Sequence, residues 1–162
     1  MILGRSELLE LIREKNLIES FSDDSLGGAG YDLRLDKIYR LASNSMLGVT
    51  DRRTPDVKQV DYDSYTLGPG DYVLVETLEK VNMPADVAAR VLNRSTLFRC
   101  GVSLFNAFID PGFKGTLTFG MKNLSNMDFT VERGSRIAQV IFEKVSGDTI
   151  EYDGKYQGGK VV

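Results

Sequence analysis

The spacing of hydrophobic residues changes along this chain, and the changes mark out its elements. Near the N-terminus Leu8, Leu9, Leu11 and Ile12 follow a helical repeat, with Ser6 ahead of them as a capping hydroxyl and Lys15 and Asn16 behind. The spacing predicts one short amphipathic helix. From Tyr31 the period drops to two, as Tyr31, Leu33 and Leu35 alternate with Asp32 and Arg34. The segment from Asp71 to Val75 is rich in β-formers and follows a Gly68-Pro69-Gly70 turn. Further on, Leu117, Phe119 and Met121 alternate with Thr116, Thr118 and Gly120, Phe129 and Val131 repeat the pattern, and Gly134 precedes an apolar run from Ile137 to Phe142. Many short strands between Gly and Pro turns predict an all-β sandwich, jelly roll or closed barrel. No helix of crossover length lies between them, which argues against a parallel α/β sheet.

Two stretches depart from this pattern. Residues 42–64 are polar and weakly periodic around Asp51-Arg52-Arg53-Thr54-Pro55. A structureless loop of that length is rare in a compact domain, so an excursion with strands of its own is expected. The tail from about residue 153 to 162 mixes glycines with lysines and has little to offer a core. It reads either as a frayed terminus or as a flexible lid that closes over an anion. The length of 162 residues suits one domain spanning 1–162.

Composition narrows the chemistry. No apolar run approaches the ~18 residues of a membrane span, so a soluble protein is expected. Twenty Lys and Arg against 23 Asp and Glu leave a net charge of −3, too little positive field to hold polymeric nucleic acid. The lone Cys100 cannot close an intrachain disulfide and the N-terminus has no apolar leader, so the cytoplasm is the expected compartment. The histidine count is zero. That excludes a Ser-His-Asp triad, a Cys/His zinc site and a histidine-held zinc hydroxide. What remains is carboxylates, Tyr, Lys, Arg, hydroxyls, backbone amides and a borrowed cation.

Four segments gather those groups. Gly27-Gly28-Ala29-Gly30-Tyr31-Asp32-Leu33 is either a plain turn or a place where small residues let two backbones pass closely. Arg94-Ser95-Thr96-Leu97-Phe98-Arg99 brings together two guanidiniums and two hydroxyls, suited to phosphate oxygens or to surface ion pairs. Asn106 to Gly115 reads as a β-hairpin whose turn carries Asp110, and an Asp there either holds turn amides or does chemistry. In Gly134 to Phe142 the amide of Gln139 interrupts an apolar run and must pair within the sheet or face a polar ligand.

In this order and at this spacing, the four segments resemble the first four motifs of the trimeric dUTPase and dCTP deaminase superfamily. The N-terminal helix and the tail residues Tyr152 and Lys155-Tyr156-Gln157-Gly158 resemble the dCTP deaminase branch. The resemblance implies a distorted β-barrel of jelly-roll type, usually a homotrimer with its sites between subunits. The deaminase branch shuttles protons with a Glu shortly after the Ile-Asp segment, and counting on from Asp110 that position falls on Gly120. Glycine moves no proton, so the resemblance favours a dUTP diphosphatase.

Under that resemblance Asp110 holds the sugar hydroxyl and orients or deprotonates the water that attacks the α-phosphorus. Arg94, Ser95, Arg99 and Gln139 contact phosphate oxygens, with Thr96 and Thr118 also in the substrate-binding set. Phe113 lies under the deoxyribose, and backbone around Asn106 and Phe108 reads uracil, with Asn106 as a side-chain reader. Tyr152, Lys155 and Gln157 contact the nucleotide from the tail, whose glycines resemble a phosphate-wrapping lid. Mg²⁺ is expected to be held mainly by the triphosphate and its waters. The competing expectations are a dCTP deaminase, a bifunctional dCTP deaminase and dUTPase, and a non-catalytic nucleotide-binding protein; retention of Asp110 speaks against the last.

Overall fold

The computed structural model describes residues 1–162. The chain opens with helix α1 (Arg5–Lys15), which starts two residues earlier than a Ser6 cap would allow. Its N-cap is Gly4, whose N–H donates to the Glu7 carboxylate at 3.1 Å, so a side chain in the first turn reaches back to close the helix end. Asn16 ends it in the left-handed conformation.

All else is β, apart from two short helical turns. In chain order the strands are β1 (Ile18–Glu19), β2 (Tyr31–Leu41), β3 (Met46–Leu47), β4 (Arg52–Arg53), β5 (Val57–Val60), β6 (Ser64–Leu67), β7 (Tyr72–Asn82) and β8 (Val87–Asn93). Helix α2 (Ser95–Arg99) leads into β9 (Val102–Phe105), β10 (Lys114–Asn123), β11 (Phe129–Glu132) and β12 (Arg136–Lys144). The main sheet runs β8-β12-β2-β7-β10-β9, with β1 on β7 and β5 on β2, and every pair in it is antiparallel. This is the mostly-β, barrel-like fold the alternation predicts.

Asn93 joins the two ends of that sheet. Its amide donates to Ser103 Oγ at 3.2 Å and its carbonyl accepts the Leu104 N–H at 3.1 Å, so β8 and β9 are stitched by a side chain where no ladder forms. Inside lies one cluster of 32 buried residues, among them Tyr31, Leu33, Leu35, Val75, Met121, Val140 and Phe142. The polar segment is the expected excursion: β3 and β4 pair as a small arm and β5 returns to the edge of β2. Near Gly30 the chain runs so close to β12 that a Cβ would stand 2.8 Å from Ile141 Cδ1 and 3.0 Å from the Val140 carbonyl. The Gly-rich segment is therefore a close passage of backbones. No helix is long and apolar enough to cross a membrane.

Candidate active site

The main candidate site is a cavity of about 590 Å³ on the face of β7 and β10, within the usual range for small-molecule sites. Strand β10 shapes its floor. Its pairing with β7 slips between Thr116 and Thr118, and the buried Thr77 hydroxyl accepts the displaced Leu117 N–H at 3.0 Å. Such a bulge re-aims side chains. Thr116, Thr118 and Gly120 line the cavity, and Thr118 Oγ1 is buried with no hydrogen-bond partner.

One wall is the connection between β9 and β10. Ile109 is held by a two-way backbone bridge to Ala89, and the Asp110 carbonyl accepts the Phe113 N–H at 3.3 Å, which forms the turn. The Asp110 carboxylate is exposed to the cavity and makes no hydrogen bond or ion pair, so it does not serve the turn amides. It is the only acidic side chain among the lining residues. Phe113 is buried beside it and meets the Tyr152 ring edge-on at 5.7 Å. Phe108 lines the opening and is largely exposed, whereas Asn106 is exposed at the end of β9 and does not line the cavity.

At the other end of the floor stands Tyr72. A Cβ on Gly120 would lie 2.3 Å from Tyr72 Oη and 2.8 Å from its ring, so only glycine fits beneath this phenol. Burial raises the phenol above its usual pKa and keeps it neutral. Its hydroxyl has no protein partner.

The tail docks across the turn that carries Asp110. Gln157 Nε2 donates to the Gly112 carbonyl at 3.0 Å and the Tyr152 carbonyl at 2.9 Å, while its oxygen accepts the Lys114 N–H at 2.8 Å. The Gly158 N–H donates to the Lys114 carbonyl at 2.8 Å. Lys155 reaches Thr54 on the arm at 2.9 Å, so arm and tail meet over the cavity mouth.

The remaining predicted residues lie elsewhere. Arg94 and Thr96 line a second cavity of about 370 Å³ with Thr130, Ser135 and Arg136. Both arginines face Asp32: Arg94 Nε is 3.2 Å and Arg136 Nη1 3.8 Å from its carboxylate. Ser95 and Arg99 sit on α2 outside both cavities, and Arg99 donates back to the Ser95 carbonyl at 3.1 Å. Gln139 is half-buried on β12 between Asp32 and Leu92, with no side-chain hydrogen bond. From Ala89, which anchors the Asp110 turn, to Arg94 at the far end of β8 is about 16 Å of extended chain. One chain thus carries a carboxylate and aromatic cavity at one end of β8 and an arginine cavity at the other. Sequence reasoning gave no site role to Tyr72 or Tyr156 and missed the ion pairing of Asp32; only the pairing of β7 with β10, which brings Tyr72 over Gly120, reveals the first of these.

These features can be set beside known proteins. The model of the dCTP deaminase-like family matches residues 2–145. A dCTP deaminase of Thermococcus kodakarensis is 38% identical over 92% of this chain and 90% of its own. A probable deoxyuridine 5'-triphosphate nucleotidohydrolase of Methanothermobacter thermautotrophicus is 36% identical over 91% of this chain and 99% of its own. Among solved structures, the 2'-deoxycytidine 5'-triphosphate deaminase from Agrobacterium tumefaciens superposes with a TM-score of 0.72 at 21% identity. The alignment covers 90% of this chain and 48% of that one, so this chain spans about half its length. Relatives named for both reactions match across nearly the whole chain, and the family model runs from residue 2 to just past the end of β12, short of the tail. The chain belongs to the dCTP deaminase-like family.

Proposed function

We propose that this protein is a dUTP diphosphatase, converting dUTP to dUMP and pyrophosphate. One observation carries the reading: Asp110 is the only acidic side chain in the main cavity, and the floor at Gly120 offers none. Removing an amine from a cytosine requires a group that takes a proton from water and passes one to the departing nitrogen. Hydrolysis at phosphorus needs one base and positioned positive charge. Asp110 supplies the base. It holds the sugar hydroxyl and orients or deprotonates the water that attacks the α-phosphorus, while Phe113, braced by Tyr152, lies under the deoxyribose. Arg94, Ser95, Thr96, Arg99 and Gln139 contact the phosphates.

The separation of Asp110 and Arg94 along β8 supports sites completed by neighbouring copies, in keeping with the homotrimer that the family resemblance implies. The tail, with Tyr152, Lys155 and Gln157, serves as the lid, and Thr118 adds its unpartnered hydroxyl to the substrate-binding set. No three His, Cys, Asp or Glu side chains cluster as a metal cage. A single carboxylate in the cavity fits a Mg²⁺ ion that arrives on the triphosphate, where it neutralises phosphate charge. The relatedness to a dCTP deaminase supports a second reading, a bifunctional enzyme in which another carboxylate replaces the missing Glu. The test is hydrolysis of dUTP in ¹⁸O-water with Mg²⁺. Attack at the α-phosphorus puts the label in dUMP; label in pyrophosphate, or no dUMP, contradicts the reading.

A further inference from the structure

The cavity has two ends, and the mechanism uses only one of them. Asp110, Phe113 and Tyr152 gather where β10 begins, on the sugar and phosphate side. Gly120 pairs with Phe105 across β9 and β10, and Tyr72 leans over Gly120, with its ring 6.4 Å from that of Phe105. Asn106 follows Phe105 directly, so this second end is where the backbone proposed to read the base begins. Among the side chains there, Tyr72 presents a hydroxyl without a protein partner. The bare Cα of Gly120 leaves it room, since a Cβ would stand 2.3 Å from Oη.

We infer that Tyr72 is a specificity-determining residue that donates its hydroxyl proton to the C4 carbonyl oxygen of the pyrimidine base, the position where cytosine carries its amine, and so favours uracil over cytosine. The inference rests on the reading of the cavity as a deoxynucleotide site. A phenol carries one donor, and here nothing in the protein accepts it. A uracil carbonyl satisfies that donor. The exocyclic amine of cytosine has its lone pair delocalised into the ring, so it can only donate to the phenol oxygen and leaves the phenol proton unmatched in a partly desolvated pocket. An unmatched polar group of this kind costs about tenfold or more in affinity. The phenol is neutral and proton-donating at neutral pH, and partial burial moves its pKa further up from the ordinary value.

The experiment is calorimetric binding of dUMP and dCMP to the wild type and to Tyr72→Phe, with thermal unfolding as a check on the fold. The wild type should prefer dUMP. Tyr72→Phe should weaken dUMP by about tenfold and leave dCMP within twofold, because the uracil complex loses a matched hydrogen bond, whereas the cytosine complex loses its amine-to-phenol bond and sheds the unmatched phenol proton together. Equal weakening of both nucleotides, or no change in either, overturns the inference, as does a wild type without preference. Substituting Gly120→Ala gives an independent check: the added Cβ must displace the phenol, so the dUMP preference should fall as in Tyr72→Phe. These readouts are equilibrium affinities for product-sized ligands, so they stand apart from pyrophosphate release, on which the diphosphatase reading depends.

Discussion

Asp110 is exposed, unpaired and alone among the acidic side chains of its cavity, the state expected of a carboxylate kept for a substrate. Replacing it with Asn keeps the shape of the side chain and removes its basicity. Asp110→Asn should lower turnover of dUTP by ~10² to 10⁴ while nucleotide affinity is largely retained, measured as kcat against the Kd of a non-hydrolysable analogue. Near-normal turnover would remove Asp110 from the mechanism. At this scale the sequence was informative wherever a motif names a residue: Asp110, Phe113, Arg94 and Thr118 were all identifiable as candidates. It was silent on Tyr72, because nothing in a β-rich run marks which phenol will lie over a glycine two register positions away on the neighbouring strand. It was also misleading at the helix start, where Ser6 looks like a cap and Gly4 with Glu7 does the work.

Elements bring these residues together through irregularities rather than through regular pairing. Alternation along β10 could be read from the sequence, but not the slip between Thr116 and Thr118 that leaves the Thr118 hydroxyl unpartnered. A bulge depends on the partner strand, here on Thr77 accepting a displaced amide. The tail shows the same limit, since its glycines and lysines suit a frayed end as well as a lid, yet Gln157 fastens it to the Asp110 turn by two side-chain hydrogen bonds and braces it on the Tyr152 carbonyl by a third. Gln157→Ala should lower kcat/KM for dUTP by about tenfold. Its unfolding temperature should move by no more than ~3 °C, because no residue beyond Phe142 belongs to the buried core. Unchanged kcat/KM, read alongside a differential scanning trace, would reduce the tail to a surface strap.

For the whole molecule, the barrel-like fold followed from strand count and turn spacing, while the sheet order and its closure through Asn93 required the long-range contacts themselves. The distance along β8 between the two cavities has a consequence for assembly. If sites are completed by neighbouring copies, a subunit lacking Asp110 can still lend its arginines, and one lacking Arg94 can still lend its carboxylate. Mixing inactive Asp110→Asn and Arg94→Ala proteins under conditions of subunit exchange should therefore recover measurable dUTP hydrolysis, and a mixture that stays inactive after exchange would place each site within one chain. The account turns above all on which bond is broken. Purified protein incubated in parallel with dUTP and dCTP, with Mg²⁺ present and both pyrophosphate and ammonia quantified, tests this most directly. The prediction is pyrophosphate from dUTP and no ammonia from dCTP. Ammonia released from dCTP at a rate comparable to dUTP hydrolysis would contradict it.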